Sequence, residues 1–354
     1  MRAIIKRELR GYLRFPIYWI GIIIIFFEIY QNVSPYLKVH YFTQQEEIKE
    51  DKFPDTRNYD IMEGSVPSTP EQQKELGDAL IRKVLLNEVV LPEEEVNQLM
   101  STMKEMTIEE SMQYLAEYGY SGLDIYYEYY ERHQGNVEEA NAYIEQSLQE
   151  HPFSYYFSMK FADFCGLFMA FFAIVLLAFL YLRDTRRDMY ELLHTKPIAS
   201  FRYVLGKIFG GFLAMAFGIV LMNLIFIALC LCYGYQNGVT VNILDFVNVT
   251  FCYLLPNMLM IVCVYTIVAF VFHNPLPALP LLVLYLIYSN MGSYGPDGSF
   301  DYYGRLFAIM VRFPGDFFEI SPPPMALLNQ FYLIIASISL MIVSVVLWKR
   351  KCVV

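Results

Sequence analysis

The residues with chemistry to offer fall into three groups, and none of them builds a reaction centre. The first is a polar run beginning at Arg183, in which Arg187, Glu191, His194, Lys196 and Pro197 stand between two long apolar stretches. The second is four ionisable residues beside apolar stretches, Glu28, Asp163, Arg305 and Arg312. The third is the cations of the opening residues, Lys6, Arg7, Arg10 and Arg14. Gly206-Lys207 lacks the earlier Gly and the following Ser or Thr of a phosphate loop, so no nucleotide site is expected. His40, His133 and His151 are scattered, and no His-x-x-x-His or Ser/His/Asp pattern unites them. Cys165, Cys230, Cys232, Cys252 and Cys263 sit inside apolar runs and read as small buried hydrophobes rather than metal ligands. With no acid, base and nucleophile at one depth, an enzyme is disfavoured.

The elements that must position these groups are apolar. The 354 residues are 56% hydrophobic and 18% charged, with mean hydropathy +0.35 and a formal net charge of -10. A soluble protein spends about a quarter of its residues on charge, so here the apolar and acidic parts must be segregated. Residues 31–160 hold 25 Asp and Glu against 10 Lys and Arg, a net of -15, which leaves +5 for everything else. The remaining Lys and Arg cluster beside apolar runs as the positive-inside rule expects, which is not a nucleic-acid footprint.

Crossing about 30 Å of hydrocarbon takes about 20 mostly apolar residues. Spans are predicted near 15–30, 161–182, 208–233, 247–272, 276–290 and 328–348; the first and fifth are short, and Pro277 and Pro280 fall in the fifth. The expected fold is an all-α membrane protein of six transmembrane helices, with an N-terminal interfacial helix over 1–14. A large acidic helical domain, 31–160, is inserted between the first two spans, and five spans follow over 161–348. Charge bias places both termini and the 183–207 loop in the cytoplasm, with 349–354 as a tail, and residues 31–160 outside a cell membrane. No small-x-small site follows Tyr30, so the first span reads as a retained anchor rather than a signal peptide.

Over residues 1–14 the cations take about a third of a helical wheel, with Ile5, Leu9 and Tyr12 on another side, as in a helix lying on the lipid surface. Gly206, Gly210, Ala214 and Gly218 form a stripe of small residues that permits close helix packing within one bundle or between subunits. In the acidic insertion, Thr69-Pro70-Glu71, Pro92 with three Glu, Thr107 with Glu110, and Asn136 with Glu139 are helix starts. Tyr126, Tyr127, Tyr129 and Tyr130 read as core with polar tips or as a binding platform. Mid-span Asn223 and Asn257 are expected to hydrogen-bond between helices. Leu306–Phe313 is expected to form a short re-entrant or interfacial helix, with Arg305 and Arg312 on one face.

The loop from Arg183, with its Pro197-Ile198-Ala199-Ser200 turn and Gly206-Lys207 before the next span, resembles the permease subunit of a bacterial type-2 ABC exporter. The six-span layout and the basic opening helix share that resemblance. It implies a coupling helix in 183–207, around Arg187, Glu191, His194, Lys196 and Pro197, that docks into a separate ABC ATPase subunit. ATP and Mg would then sit on that partner and no cofactor on this chain, which would pair with a second permease copy, identical or not, in the lipid bilayer. The large insertion departs from the family's usual short outer loop, and Ala199 separates Ile198 from Ser200. Independently, no ionisable residue sits at mid-membrane, where an ion-driven carrier needs one. Glu28, Asp163, Arg305 and Arg312 are candidate outer-mouth substrate contacts, or anchors at lipid headgroups. An alternative from another class is a membrane sensor or immunity protein whose acidic outer domain binds cationic antimicrobial peptides.

Overall fold

The structure is a computed structural model, and it describes residues 1–48, 60–182, 198–294, 300–302 and 304–351. The protein is an all-α membrane protein; among the described residues, five helical stretches are long and apolar enough to cross a bilayer: Pro16–Lys38, Phe153–Leu176, Ser200–Asn237, Ile243–Phe272 and Ala326–Arg350. The chain divides into two units, a bundle of Met1–Lys38 with Glu150–Val354, and a smaller unit of Val39–Gln149.

The bundle opens with α1, Arg2–Leu13, and α2, Pro16–Val33. Pro16 fits the first turn of α2, where its missing N–H has no helical partner to lose. The elbow between the two helices is fixed by Trp19, whose Nε1 donates to the Leu13 carbonyl at 2.8 Å.

In the smaller unit, α3 (Pro70–Asn87), α4 (Glu93–Met103), α5 (Ile108–Glu117), α6 (Ile125–Tyr129) and α7 (Val137–Glu150) follow one another. Ile81, Leu85, Val96, Leu99, Met103, Leu115 and Tyr127 form its core. Three of the four expected starts are capped by side chains, while α4 begins after Pro92 with no side-chain cap. Thr69 pairs with Gln72 and Thr107 with Glu110 in reciprocal boxes, and Asn136 and Glu139 exchange the same two bonds. The Thr107 bonds hold the Glu110 carboxyl below its ordinary pKa. Tyr127 is core, its hydroxyl on Asp78 at 2.5 Å, and burial followed by that carboxylate pushes its pKa up. Two three-residue strands, β1 (Ser65–Pro67) and β2 (Arg132–Gln134), pair antiparallel. Thr107→Ala removes one acceptor and one arm of a box, so α5 should lose about 1 kcal/mol. Hydrogen exchange of the α5 amides in the full chain measures this, and unchanged protection would contradict it.

The chain returns to the bundle as α8, Phe153–Leu176, with a one-turn continuation α9, Ala178–Leu182. This start lies eight residues before the expected 161. The extra turns carry rings that pack inside the bundle rather than face water: Phe153 lies 4.3 Å from Tyr233 and 5.3 Å from Phe317, centre to centre. Next is α10, Ser200–Asn237, whose 38 residues end at Gly238 in the left-handed region. At about 1.5 Å per residue it is roughly 57 Å long, well beyond the hydrocarbon thickness.

Ile243–Val249 (α11) leads through a π-helical segment, Thr250–Leu254, into α12, Leu255–Phe272. Pro256 explains the interruption. It has no N–H for the Cys252 carbonyl and crowds it, and the helix opens by one residue so that Leu255 N–H reaches Thr250 O instead.

The fifth predicted span is only thirteen residues, α13, Ala278–Asn290, or about 20 Å of helix. The chain then forms a two-residue pairing of β3 (Ser293–Tyr294) with β4 (Phe300–Asp301) and an irregular segment up to α14, Ala326–Lys351. The expected helix over Leu306–Phe313 is not formed. Gly304 and Phe307 have positive φ, 83° and 63°, and Pro314 follows, so no helical turn can run through. Ala308, Ile309, Met310, Val311 and Phe313 are nonetheless buried.

Candidate functional site

Two polar constructions stand out in the bundle, one at each end. At the end where α9 stops and α10 begins, Lys207 is 2% exposed and its Nζ lies 3.2 Å from Glu8 Oε2. The same ammonium sits 5.6 Å from the Tyr181 ring centre. Tyr181 shares a hydrogen bond with Thr266 Oγ1 at 2.8 Å, and a run of rings continues through Phe270 and Trp348 to Tyr203. One charge thus ties α1 and α9 to α10, and the rings extend the tie to α12 and α14.

The small-residue stripe makes this possible. A methyl group on Gly206 would sit 2.9 Å from Ile4 Cγ2, and one on Gly210 2.6 Å from Glu8 Cβ. The next two members receive α2: Tyr18 donates to the Ala214 carbonyl at 2.8 Å, and a methyl on Gly218 would meet Ile22 at 2.7 Å. The stripe therefore packs helices of one chain. It also changes the expected placement of α1, which seats Ile4 and Glu8 on α10 instead of turning its non-basic side to lipid. Lys6, Arg7, Arg10 and Arg14 remain exposed, with Arg7 paired to Glu8 at 3.0 Å. Of the loop residues, Arg187, Glu191, His194, Lys196 and Pro197 lie outside the described residues. The chain is described up to Leu182 and again from Ile198.

The second construction lies where α2 ends and α8 begins. Two of the four ionisable candidates meet there. Arg312 grips Asp163 with both arms, Nε to Oδ1 at 2.5 Å and Nη2 to Oδ2 at 3.1 Å, while Phe313 N donates to the same Oδ1 at 3.2 Å. Arg312 Nη1 adds Asn290 Oδ1 at 2.9 Å. Burial works against the guanidinium charge, but the Asp163 hydrogen bond and charge outweigh it and hold the Arg312 pKa above its ordinary value. The surrounding irregular backbone is satisfied by side chains. Ser289 Oγ accepts from Ile309 N, Tyr302 accepts from Arg312 N, Asn329 donates to Ala308 O and Lys160 to Gly315 O. Irregular backbone buried away from water needs such partners.

Arg305 diverges from Arg312. Its guanidinium reaches Gly292 O and lies 5.1 Å from the Tyr288 ring centre. Glu28 stays exposed on α2, on the side that carries Ile24 and Phe27.

In the smaller unit the fold unites residues that the sequence leaves apart: Ser68 Oγ is 2.9 Å from His133 Nδ1, and His133 Nε2 is 3.6 Å from Glu139 Oε2. This line resembles a nucleophile, base and acid, but the neighbouring amides are spent. Ser68 N donates to Glu131 O and Thr69 N to Gln72 Oε1, so neither can receive an oxyanion. The trio ties the end of β1 to β2 and α7. Among the described residues, no group of three or more His, Cys, Asp or Glu is placed to hold a metal ion. No family model, curated protein or solved structure matches the chain.

Proposed function

We propose that the chain is the transmembrane permease subunit of an ATP-driven exporter of the ABC type, passing the stroke of a separate ATPase to a substrate pathway. The observation that carries this is the buried Glu8–Lys207 contact, which packs on Tyr181 just before residues 183–197. A force on that loop reaches α9 through Leu182 and α10 through Ile198. Lys207, Tyr181 and the small-residue stripe hold α1, α9 and α10 as one body that would move with it. The exposed cations of α1 then face lipid phosphates or the acidic surface of a partner. Lys349 and Arg350 lie at the same end of the bundle, where Trp348 stacks on Tyr203, and their charge favours the cytoplasm. On this assignment both termini are inside, Val39–Gln149 is outside, ATP and Mg belong to the partner, and a second permease copy completes the pathway.

Co-expression with any ABC ATPase found to be encoded by a neighbouring gene tests this. The expected result is a complex that survives affinity purification, in which Glu191→Ala with His194→Ala lowers export about tenfold, within the range of coupling energies between distant sites. Absence of a co-purifying ATPase, or unchanged export, refutes the assignment. Tight binding of a cationic peptide by the full chain, with resistance indifferent to the loop substitutions, points to the sensor instead.

A further inference from the structure

Among the described residues, several buried polar side-chain atoms of the bundle have no hydrogen-bond partner; Ser344 stands apart near the end of α14, and those of Asn257, Asn329 and Gln330 fall within about 8 Å of one another along the axis. Gln330 is 4% exposed, and neither its Nε2 nor its Oε1 has a hydrogen-bond partner. Asn329, beside it on α14, donates to Ala308 O at 2.8 Å, but its Oδ1 is unpartnered. Asn257, 2% exposed on α12, also has an unpartnered Oδ1.

Two contacts set the register of α12 and α14. Ser337 Oγ lies 3.6 Å from Met260 Sδ, and the Phe270 and Trp348 rings are 5.1 Å apart. The helices therefore run side by side in the same direction. Asn257 falls level with about residue 334, roughly 6 Å along the axis from Gln330, and Gln330 itself lies level with the π-helical segment Thr250–Leu254. Asn223 shows what satisfied polar glue looks like here: its Oδ1 accepts from Thr250 Oγ1 at 3.0 Å and its Nδ2 donates to Ile219 O. Gln330 has no such arrangement.

A buried amide with both ends unmade is unfavourable, and a π-helical segment is often found at functional sites. We propose that Gln330, Asn329 and Asn257 form a solute site that takes uncharged hydrogen-bonding groups, amides or hydroxyls, of the molecule this chain moves. The site is closed between α12 and α14 in this conformation and opens when the helices part. No charged side chain belongs to the set, so it selects neutral polar groups rather than phosphates or ammoniums. This deepens the exporter assignment and rests on it.

The test uses the full chain with its six cysteines replaced by alanine. Gln330→Cys is reacted in membrane vesicles with the neutral 2-hydroxyethyl methanethiosulfonate and compared with Ile338→Cys on the outward side of α14, where Ile338 is 51% exposed. The site requires Gln330→Cys to label at least about tenfold faster; equal, slow labelling shows a sealed interface and overturns it. In the native background, Gln330→Leu should raise the unfolding temperature by about 2 °C and lower export about tenfold, the worth of one hydrogen bond. A lower unfolding temperature means that Gln330 already has a partner, and unchanged export means that it touches no solute; either result overturns the site. Labelling and melting need no ATPase, so they report on the site even if the ATPase assignment fails.

Discussion

Asp163→Ala should lower the stability of the bundle by about 3–5 kcal/mol, the usual result of removing one partner of a buried ion pair. The carboxylate is 6% exposed and receives two guanidinium hydrogen bonds and one backbone N–H. Without it the Arg312 charge, on a side chain 30% exposed, keeps Asn290 alone among those partners, and Phe313 N loses its acceptor. Because α13 stops after thirteen residues, the irregular segment fills the space above it. Loss of the clasp should therefore release residues 304–325 first, seen as faster proteolysis there and as a lower unfolding temperature of the detergent-solubilised chain. Asp163→Leu with Arg312→Met removes both charges and should recover much of the loss, since apolar replacements of buried pairs are often neutral. A single variant no worse than the double would show that the pair is exposed to water in the membrane.

The long helices, their order and the capped starts of the smaller unit were legible, because each is written in contiguous residues. Apolar runs of about 20 residues declare spans, and Thr107 lies three residues from the Glu110 it pairs with. What escaped was non-local. Asp163 and Arg312 are 149 residues apart, and Glu8 and Lys207 nearly 200, so no window of sequence shows either pair. Lys207 looked like one more loop cation, yet it is buried because α10 begins at Ser200, well before the apolar run starts. The clearest available signal was Glu8 itself, the lone acid among five cations in the first fourteen residues. Leu306–Phe313 looked helical by composition, but its backbone is held by side chains from α8, α13 and α14, which only the assembled bundle supplies. Pro256 was visible, whereas the partner of Thr250 at the start of the π-helical segment, Asn223, comes from another helix.

Glu8→Ala is expected to separate attachment from transport. With its carboxylate gone, the buried Lys207 ammonium loses the anion it is paired with, and the loss should again be about 3 kcal/mol. Here it falls on the docking of α1 rather than on the whole bundle. Hydrogen exchange should therefore rise across Arg2–Leu13 while α12 and α14 stay protected. Gly210→Leu reaches the same end without touching charge, because a side chain there meets Glu8 Cβ at van der Waals overlap and must push α1 away. If α1 and α10 move as one body under the ATPase, both variants should keep the ATPase bound and hydrolysing while export falls about tenfold or more. Glu8→Gln with Lys207→Met restores packing without the ion pair. Export that recovers in this double variant would assign the contact a mechanical role, whereas continued loss would require the charge itself. Full export with α1 released would leave α1 a membrane anchor and confine coupling to the 183–197 loop.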